Sequence, residues 1–321
     1  MSSGSVVESD HANKQQWRRF EETGGRCELI QKIRENLYLR PSHIQQMQSA
    51  VVVYDGTLYL FDPGYFDDEV REIQALVEDL AATGHARTEV PDTARTATRI
   101  VLTHSDYDHI AGVPYFPGCA VLAASTWDED NEARSIAQIE SFDSEFYVDR
   151  PWQGNMERIR IDQRLNDGDT FDGLYFYHAK GHTDDGLVTV CDSVAVVGDY
   201  LSALEFPFIY TSYRSYEETM RHFRAVFAKH DVDLVVTQHG PPADGKSEIE
   251  HRLAISEDYL AELAQVVQEG LAAGHDLDDV VRASEVQMRF DGKPLSSGIV
   301  NMHRANVRLT WKEFGGRSDE R

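Results

Sequence analysis

Cysteine is scarce in this 321-residue chain: Cys27, Cys119 and Cys191 stand far apart, with no Cys-x-x-Cys pair. An odd, scattered set builds neither a disulfide framework nor a cysteine zinc site, and it predicts a reducing compartment. Basic charge is also short. Lys and Arg number 31 against 55 Asp and Glu, a formal charge of −24, and Lys occurs only at positions 14, 32, 180, 229, 246, 293 and 312. Such a surface repels nucleic-acid phosphates and anionic lipid headgroups, so neither is an expected partner. Long apolar runs are missing too: none approaches the roughly eighteen residues of a membrane helix. The N-terminus is polar through Arg19, with no apolar signal segment. These absences predict a soluble, cytoplasmic protein that acts on a small molecule.

Apolar residues make up 41% of the chain, enough for a sizeable core. Residues 1–18 read as a loose polar tail and 19–321 as one domain, since no linker divides them. Residues 51–64, VVVYDG then TLYLFDPG, read as a hairpin turning at Asp55-Gly56. Apolar positions at helical spacing predict a helix over 67–82, stopped by Gly84. Strands follow at ATRIVL, 120–123, within 166–183 and around the Cys191-Asp192-Ser193 turn. A helix is expected at 216–229, another strand in VDLVVTQ, then helices over 246–271, near 277–283 and over 299–313. The residues from about 246 form a helical extension that covers a pocket or makes a homodimer face; the pattern does not choose. Hairpin strands mixed with helices predict sheets covered by helices.

Reactive side chains fall at the ends of these strands. ATRIVL runs into His104, Asp106, Asp108 and His109; LYFYHAKG into His182; VAVV into Asp199; DLVVTQ into His239. Loops at one end of a sheet let a rigid scaffold aim several groups at one point. Four imidazole nitrogens and three hard carboxylates could hold two divalent cations. Two such ions, roughly 3.5–4 Å apart, would bracket and ionise a shared water.

THSDYDH (103–109), GHT (181–183), GD (198–199) and QHG (238–240) come in an order that resembles the metallo-β-lactamase superfamily of hydrolases. FDPG (61–64) and NDGDTF (166–171) add to the likeness, which spans about residues 35–242. The resemblance implies an α+β fold, a four-layer αββα sandwich, with the C-terminal helices as extras. It also implies that His104, Asp106 and His182 hold one metal and Asp108, His109 and His239 a second, with Asp199 between them. Asp62 is expected as a turn or supporting residue.

One departure matters. The family's commoner pattern is His-x-His-x-Asp-His, and Asp106 stands where the second His would be, closer to the His-x-Glu-x-Asp-His of flavodiiron-type oxidoreductases. Two dications, one hydroxide and three Asp sum to 4 − 1 − 3 = 0, where a His at 106 would leave +1. Zinc is the first expectation for the pair, and the extra carboxylate tilts preference towards iron or manganese. After GHT, Asp184 and Asp185 replace the family's frequent Pro-Gly and are expected to shape the loop or orient His182.

The activity so implied is hydrolysis. A hydroxide bridging two metals attacks an ester, lactone, thioester or amide carbonyl, and Asp108 accepts a proton as the tetrahedral intermediate forms. The rival is a non-haem di-iron oxidoreductase of the flavodiiron-like type without its own flavin domain. The aromatic stretch YLSALEFPFIYTSYRSY (200–216) offers Tyr200, Tyr210 and Tyr213 as substrate-binding hydroxyls. His43 and His303 are kept as residues that could line a pocket; His178 is read as structural.

Overall fold

Alternating apolar residues put one face of each early strand inside. In the computed structural model, which describes residues 29–83, 98–152 and 154–316, four antiparallel strands open the chain. They are β1 (Gln31–Arg34), β2 (Leu37–Pro41), β3 (Gln48–Tyr54) and β4 (Thr57–Phe61). The expected 1–18 tail, Cys27 and the helix stop at Gly84 lie outside the described residues. The β3–β4 turn forms at Asp55-Gly56, both at positive φ (43° and 78°), which matches the right-handed twist of the flanking strands. Helix α1 (Asp67–Ala82) carries the chain over the sheet to β5 (Thr98–Val101). Strands β6 (Ala120–Ala124) and β7 (Gln163–Leu165) complete a seven-stranded sheet in sequential order, parallel from β4 onward. The single-turn α2 (Tyr107–Ile110) lies between β5 and β6, and α3 (Glu129–Phe146) between β6 and β7.

The second sheet has six strands. These are β8 (Thr170–Phe171), β9 (Leu174–Ala179), β10 (Gly186–Cys191), β11 (Val194–Val196), β12 (Leu234–Val236) and β13 (Ala243–Asp244). They run in the order β13-β12-β11-β10-β9-β8, and only β11 and β12 are parallel. That parallel pair is joined by α4 (Tyr213–Lys229). Then come α5 (Lys246–Ala273), α6 (Leu277–Gln287), a two-stranded ribbon of β14 (Arg289–Phe290) and β15 (Lys293–Pro294), and α7 (Val300–Glu313). The ribbon, which turns at Asp291-Gly292, is an element the sequence pattern did not announce. Helix α4 begins three residues earlier than expected, because Ser212 caps it by accepting from Ser215 N and Glu313 Oε2 accepts from Tyr213 N.

Three apolar clusters show the layering. One lies between the sheets, with Leu39, Val52, Tyr59 and Phe61 facing Phe176, Leu187, Val196 and Val236. A second packs α1 and α3 against the outer face of the first sheet through Val70, Ile73, Ile136 and Ile139. The third packs α4 to α7 against the outer face of the second sheet through Met220, Phe223, Leu263 and Val307. The molecule is therefore a four-layer αββα sandwich, each layer burying its apolar face against the next. Each large apolar side chain removed from water there contributes about 1.5–3 kcal/mol, which is why the layers hold a rigid edge where the strands end. Among the described residues, no helix is long and apolar enough to cross a membrane.

Candidate metal centre

The loops after β4, β5, β9, β11 and β12 come together at one end of the sandwich. The two sheets are tied there directly, Leu187 N donating to Thr103 O (2.7 Å) and Gln48 N to Gln238 O (2.6 Å). Close approach sets some residue types. At Gly112 a Cβ would meet Pro63 O at 2.4 Å, so the turn after α2 can lie on the 62–64 loop only with glycine. At Gly181, φ is +114° and a Cβ would meet Tyr216 N at 2.3 Å, so the loop bearing His182 can press on α4.

Four imidazoles point inward by their Nε2 atoms because every Nδ1 is held from behind. His104 Nδ1 lies 3.0 Å from Thr103 Oγ1, whose own hydrogen goes to Asp62 Oδ2. His109 Nδ1 donates to Asp62 Oδ2 (2.8 Å), His182 Nδ1 to the Phe208 carbonyl (2.9 Å) and His239 Nδ1 to the Gln45 carbonyl (3.1 Å). Each partner can only accept, so Nδ1 carries the hydrogen and Nε2 keeps a lone pair for the centre. Asp62, itself fully buried, also accepts from Thr103 N (2.9 Å) and Gln238 Nε2 (2.8 Å). One carboxylate thus fixes the loops that carry His104, His109 and His239, the supporting part the sequence suggested. The Gln45 carbonyl reaches His239 through two consecutive left-handed residues, Gln45 (φ 49°) and Gln46 (φ 52°), a costly conformation for residues with a Cβ.

The carboxylates interleave with these nitrogens. Asp106 Oδ2 lies 3.6 Å from His104 Nε2 and 3.5 Å from His182 Nε2, while its Oδ1 accepts from Asn131 Nδ2 (2.9 Å) on α3. Asp108 lies 3.7 Å from His109 Nε2 through Oδ1 and 3.3 Å from His239 Nε2 through Oδ2. Asp199 sits between the two groups: Oδ1 is 3.2 Å from His109 Nε2, and Oδ2 is 3.7 Å from His104, 3.3 Å from His182 and 3.3 Å from His239. Two sets close enough to hold an ion result, His104 with His182 and Asp199, and Asp108 with His109 and His239. Asp106 flanks the first.

The donor set fits divalent cations. His104 Nε2, His109 Nε2, His182 Nε2 and Asp199 Oδ1 are buried polar atoms without a hydrogen-bond partner, an arrangement that is expensive unless something else satisfies it. Separations of 3.2–3.7 Å match the edge, about 3.3 Å, of a tetrahedron of ligands bonded at about 2.0–2.1 Å. Burial opposes charge throughout, yet mutual attraction wins. Asp106 is held well below the usual carboxylate range by His104 and His182, and contact with Asp106 and Asp199 pushes His182 up to about 10. His109 and His239 are likewise raised by Asp199 and Asp108. A cation would replace the protons that these imidazoles otherwise bind.

The proposed substrate residues separate. Tyr210 is half exposed, its ring 4.8 Å from that of His182, and its N donates to the Gly181 and His182 carbonyls. Tyr200 is buried; its hydroxyl accepts from His182 N (3.2 Å) and its ring packs on Tyr216 and Phe223. Tyr213 is buried in the helical layer and its hydroxyl donates to Leu260 O (3.0 Å), so it is not brought to the cluster. Asp184 and Asp185 do not touch His182 Nδ1. Asp184 is exposed, and Asp185 Oδ2 accepts from Asp128 N at the start of α3 (3.2 Å). His303 is buried among the C-terminal helices, His43 is exposed, and His178 Nε2 bonds the Leu165 carbonyl.

Sequence reasoning missed Asn131 and Glu205. Glu205 is half-buried in a turn capped by Ser202, whose hydroxyl donates to the His239 carbonyl (2.8 Å) and accepts from Glu205 N (3.2 Å). Burial first, then Asp199 and Asp108, push its carboxyl up to about 7 against the pull of His239 and His182. Among the described residues, no Lys or Arg is among the charges acting most on it or on Tyr210.

Solved structures are similar to this chain at low identity. The stereoselective inverting sec-alkylsulfatase Pisa1 from Pseudomonas sp. is 14% identical, with a TM-score of 0.64 over 91% of this chain and 51% of its own. The DIM-1 metallo-beta-lactamase is 15% identical (TM-score 0.48, 71% of this chain, 96% of its own). An archaeal metallo-beta-lactamase superfamily protein from Sulfolobus tokodaii is 15% identical (TM-score 0.47, 86% and 97%). The chain thus spans about half the length of the alkylsulfatase. No curated protein matches it in sequence. Residues 45–239 match the metallo-beta-lactamase superfamily, and with more than half of its length covered the chain belongs to that family, whose members include metal-dependent hydrolases.

Proposed function

We propose that the protein is a dinuclear metal-dependent hydrolase that cleaves an ester, lactone, thioester or amide carbonyl in a small molecule. The observation that carries this reading is the convergence of four Nδ1-anchored imidazoles on Asp199, whose Oδ1 faces His109 and whose Oδ2 faces His104, His182 and His239, so that it touches both groups of ligands. His104, Asp106 and His182 would hold one cation, Asp108, His109 and His239 the other, and Asp199 both. Zinc is the first choice of metal, with iron or manganese favoured by the third carboxylate. A pair of cations so held supplies an ionised water near neutral pH and a Lewis acid for the carbonyl oxygen.

The remaining work falls to side chains. Asp108 accepts at its carboxylate the proton released as the carbonyl is attacked. Tyr210 forms the wall beside His182 and presents its ring to the apolar part of the substrate. Tyr200 supports His182 from beneath rather than touching substrate. With Asp106, Asp108 and Asp199 the charge count is 4 − 1 − 3 = 0, and Glu205 adds a further carboxyl beside Asp199 and Asp108, with no Lys or Arg among the described residues acting strongly on it. An uncharged or cationic acyl compound is therefore favoured over the sulfate ester that the alkylsulfatase's name describes.

The test is metal-free protein reloaded separately with zinc, manganese and iron, and offered neutral, cationic and anionic esters, lactones and thioesters. Turnover is expected to return with metal and to vanish in folded Asp108→Ala and His182→Ala variants. Equal turnover in metal-free protein contradicts the proposal. One observation favours a second reading: the Asp106 carboxylate beside His104 and His182 suits a di-iron oxidoreductase. Iron in the purified protein, a visible absorption band and oxygen consumption would support it; colourless zinc protein that hydrolyses an ester would reject it.

A further inference from the structure

The C-terminal helices reach the metal centre through one buried amide. Asn306, on α7, is 1% exposed. Its Oδ1 accepts from Ile209 N (2.9 Å), and its Nδ2 donates to the Pro207 carbonyl (2.6 Å) and to the Tyr259 hydroxyl (2.9 Å). The residue between Pro207 and Ile209 is Phe208, whose carbonyl accepts from His182 Nδ1. Asn306 thus grips the backbone on both sides of the one carbonyl that aims His182.

The grip has its own support. Ser284 Oγ donates to the Val281 carbonyl, so toward His303 Nε2 it accepts. His303 then carries its hydrogen on Nε2 and accepts at Nδ1 from the Tyr259 hydroxyl (3.0 Å). Tyr259 in turn accepts from Asn306. Donation thus runs in one direction from Asn306 through Tyr259 on α5 and His303 on α7 to Ser284 and the Val281 carbonyl on α6, and a network satisfied at every member is a rigid one. The other half of the centre lacks this dependence, because His109 is held by Asp62 and His239 by Gln45.

We propose that Asn306 is a positioning residue for His182, through which the C-terminal helical layer sets the half of the centre formed by His104, Asp106 and His182. The proposal rests on the reading of these residues as metal ligands. Neither a catalytic contact nor a bond to the metal is assigned to Asn306.

The test uses the full chain, stripped of metal and titrated with Co(II). Wild type is expected to take up two equivalents. Asn306→Leu should weaken one of them by about 10–100-fold, the usual cost of losing a group that orients a ligand, and alter its visible spectrum while the other binds as before. A variant with a lower melting temperature but two unchanged equivalents overturns the proposal, since a purely structural asparagine would behave that way. If Asn306→Leu does not fold, Tyr259→Phe removes only the prop behind the amide and should weaken the same equivalent by less; two unchanged equivalents there also overturn the proposal. Should wild type bind no Co(II), the metal reading fails, and the low-field proton resonance of His182 Nδ1–H, assigned by its loss in His182→Gln, decides. Its disappearance in Asn306→Leu supports positioning, and its persistence at the wild-type shift contradicts it.

Discussion

Replacing Asp62 by Asn tests how far one carboxylate organises the centre. The change conserves volume, and Asn tolerates the left-handed backbone found at this position (φ 46°). Oδ2 accepts three bonds, from Thr103 Oγ1 (2.6 Å), Gln238 Nε2 (2.8 Å) and His109 Nδ1 (2.8 Å), whereas Oδ1 accepts one, from Thr103 N (2.9 Å). The amide will therefore keep its oxygen at the Oδ2 position and turn its NH2 toward Thr103 N–H. Two buried donors then face each other, and three charge-assisted bonds become neutral ones. Leaving a buried donor unsatisfied costs about 1–3 kcal/mol and weakening the charged bonds adds to it, so the expected loss is roughly 2–4 kcal/mol. Urea unfolding of metal-free wild type and Asp62→Asn measures that loss directly. Metal affinity should fall as well, by about 10–100-fold, because His109 loses its anionic partner. A variant within about 0.5 kcal/mol of wild type that binds metal as tightly would refute the reasoning, since a change at an uninvolved surface site has that magnitude.

Three further outcomes follow from the same geometry. Asp106→His should raise the charge of the loaded centre by one and increase rates on anionic over neutral esters; an unchanged ratio of kcat/KM values would contradict the charge count. Tyr210→Ala should raise KM several-fold while stability stays within about 0.5 kcal/mol, as the side chain is half exposed; an unchanged KM would remove Tyr210 from the substrate wall. Burial holds His303 down to about 4, against 6.5 for a free imidazole. Below about pH 6.5 the unfolded chain therefore binds a proton that the native state refuses, so stability is full above that pH and falls as acid is added, levelling off below about pH 4. The difference amounts to about 3 kcal/mol, and subtracting the pH dependence of His303→Gln from that of wild type isolates it; identical pH profiles would contradict it.

The strand-end clustering of His104, Asp106, Asp108, His109, His182, Asp199 and His239 was legible because each group follows a short apolar run, a local pattern. Sheets covered by helices were legible for the same reason, and so was the Asp55-Gly56 turn, whereas the four-layer order was implied only by the family resemblance. The atoms that aim the ligands were not. Backbone carbonyls of Gln45 and Phe208 hold His239 and His182, and a carbonyl leaves no mark on residue identity. Asn131 reaches Asp106 from 25 positions away and Asn306 reaches Ile209 from 97; polar residues within helices look alike until the fold brings one to its partner. Tyr213 misled because an aromatic-rich segment after Asp199 reads the same whether it lines a cleft or starts a helix. The Ser212 cap was the signal that it starts α4. Of the two parts expected for Asp185, shaping its loop or orienting His182, the bond it makes fits the first, since it ties the loop to the start of α3.

Elemental analysis of the purified chain, without chelator or added metal, bears most directly on the centre. Two moles of divalent transition metal per mole of protein are predicted, with binding weakened in both halves by Asp199→Ala because that carboxylate faces each of them. Metal-free protein that takes up no cation when supplied with excess, or an Asp199→Ala variant that holds two as firmly as wild type, would contradict the account.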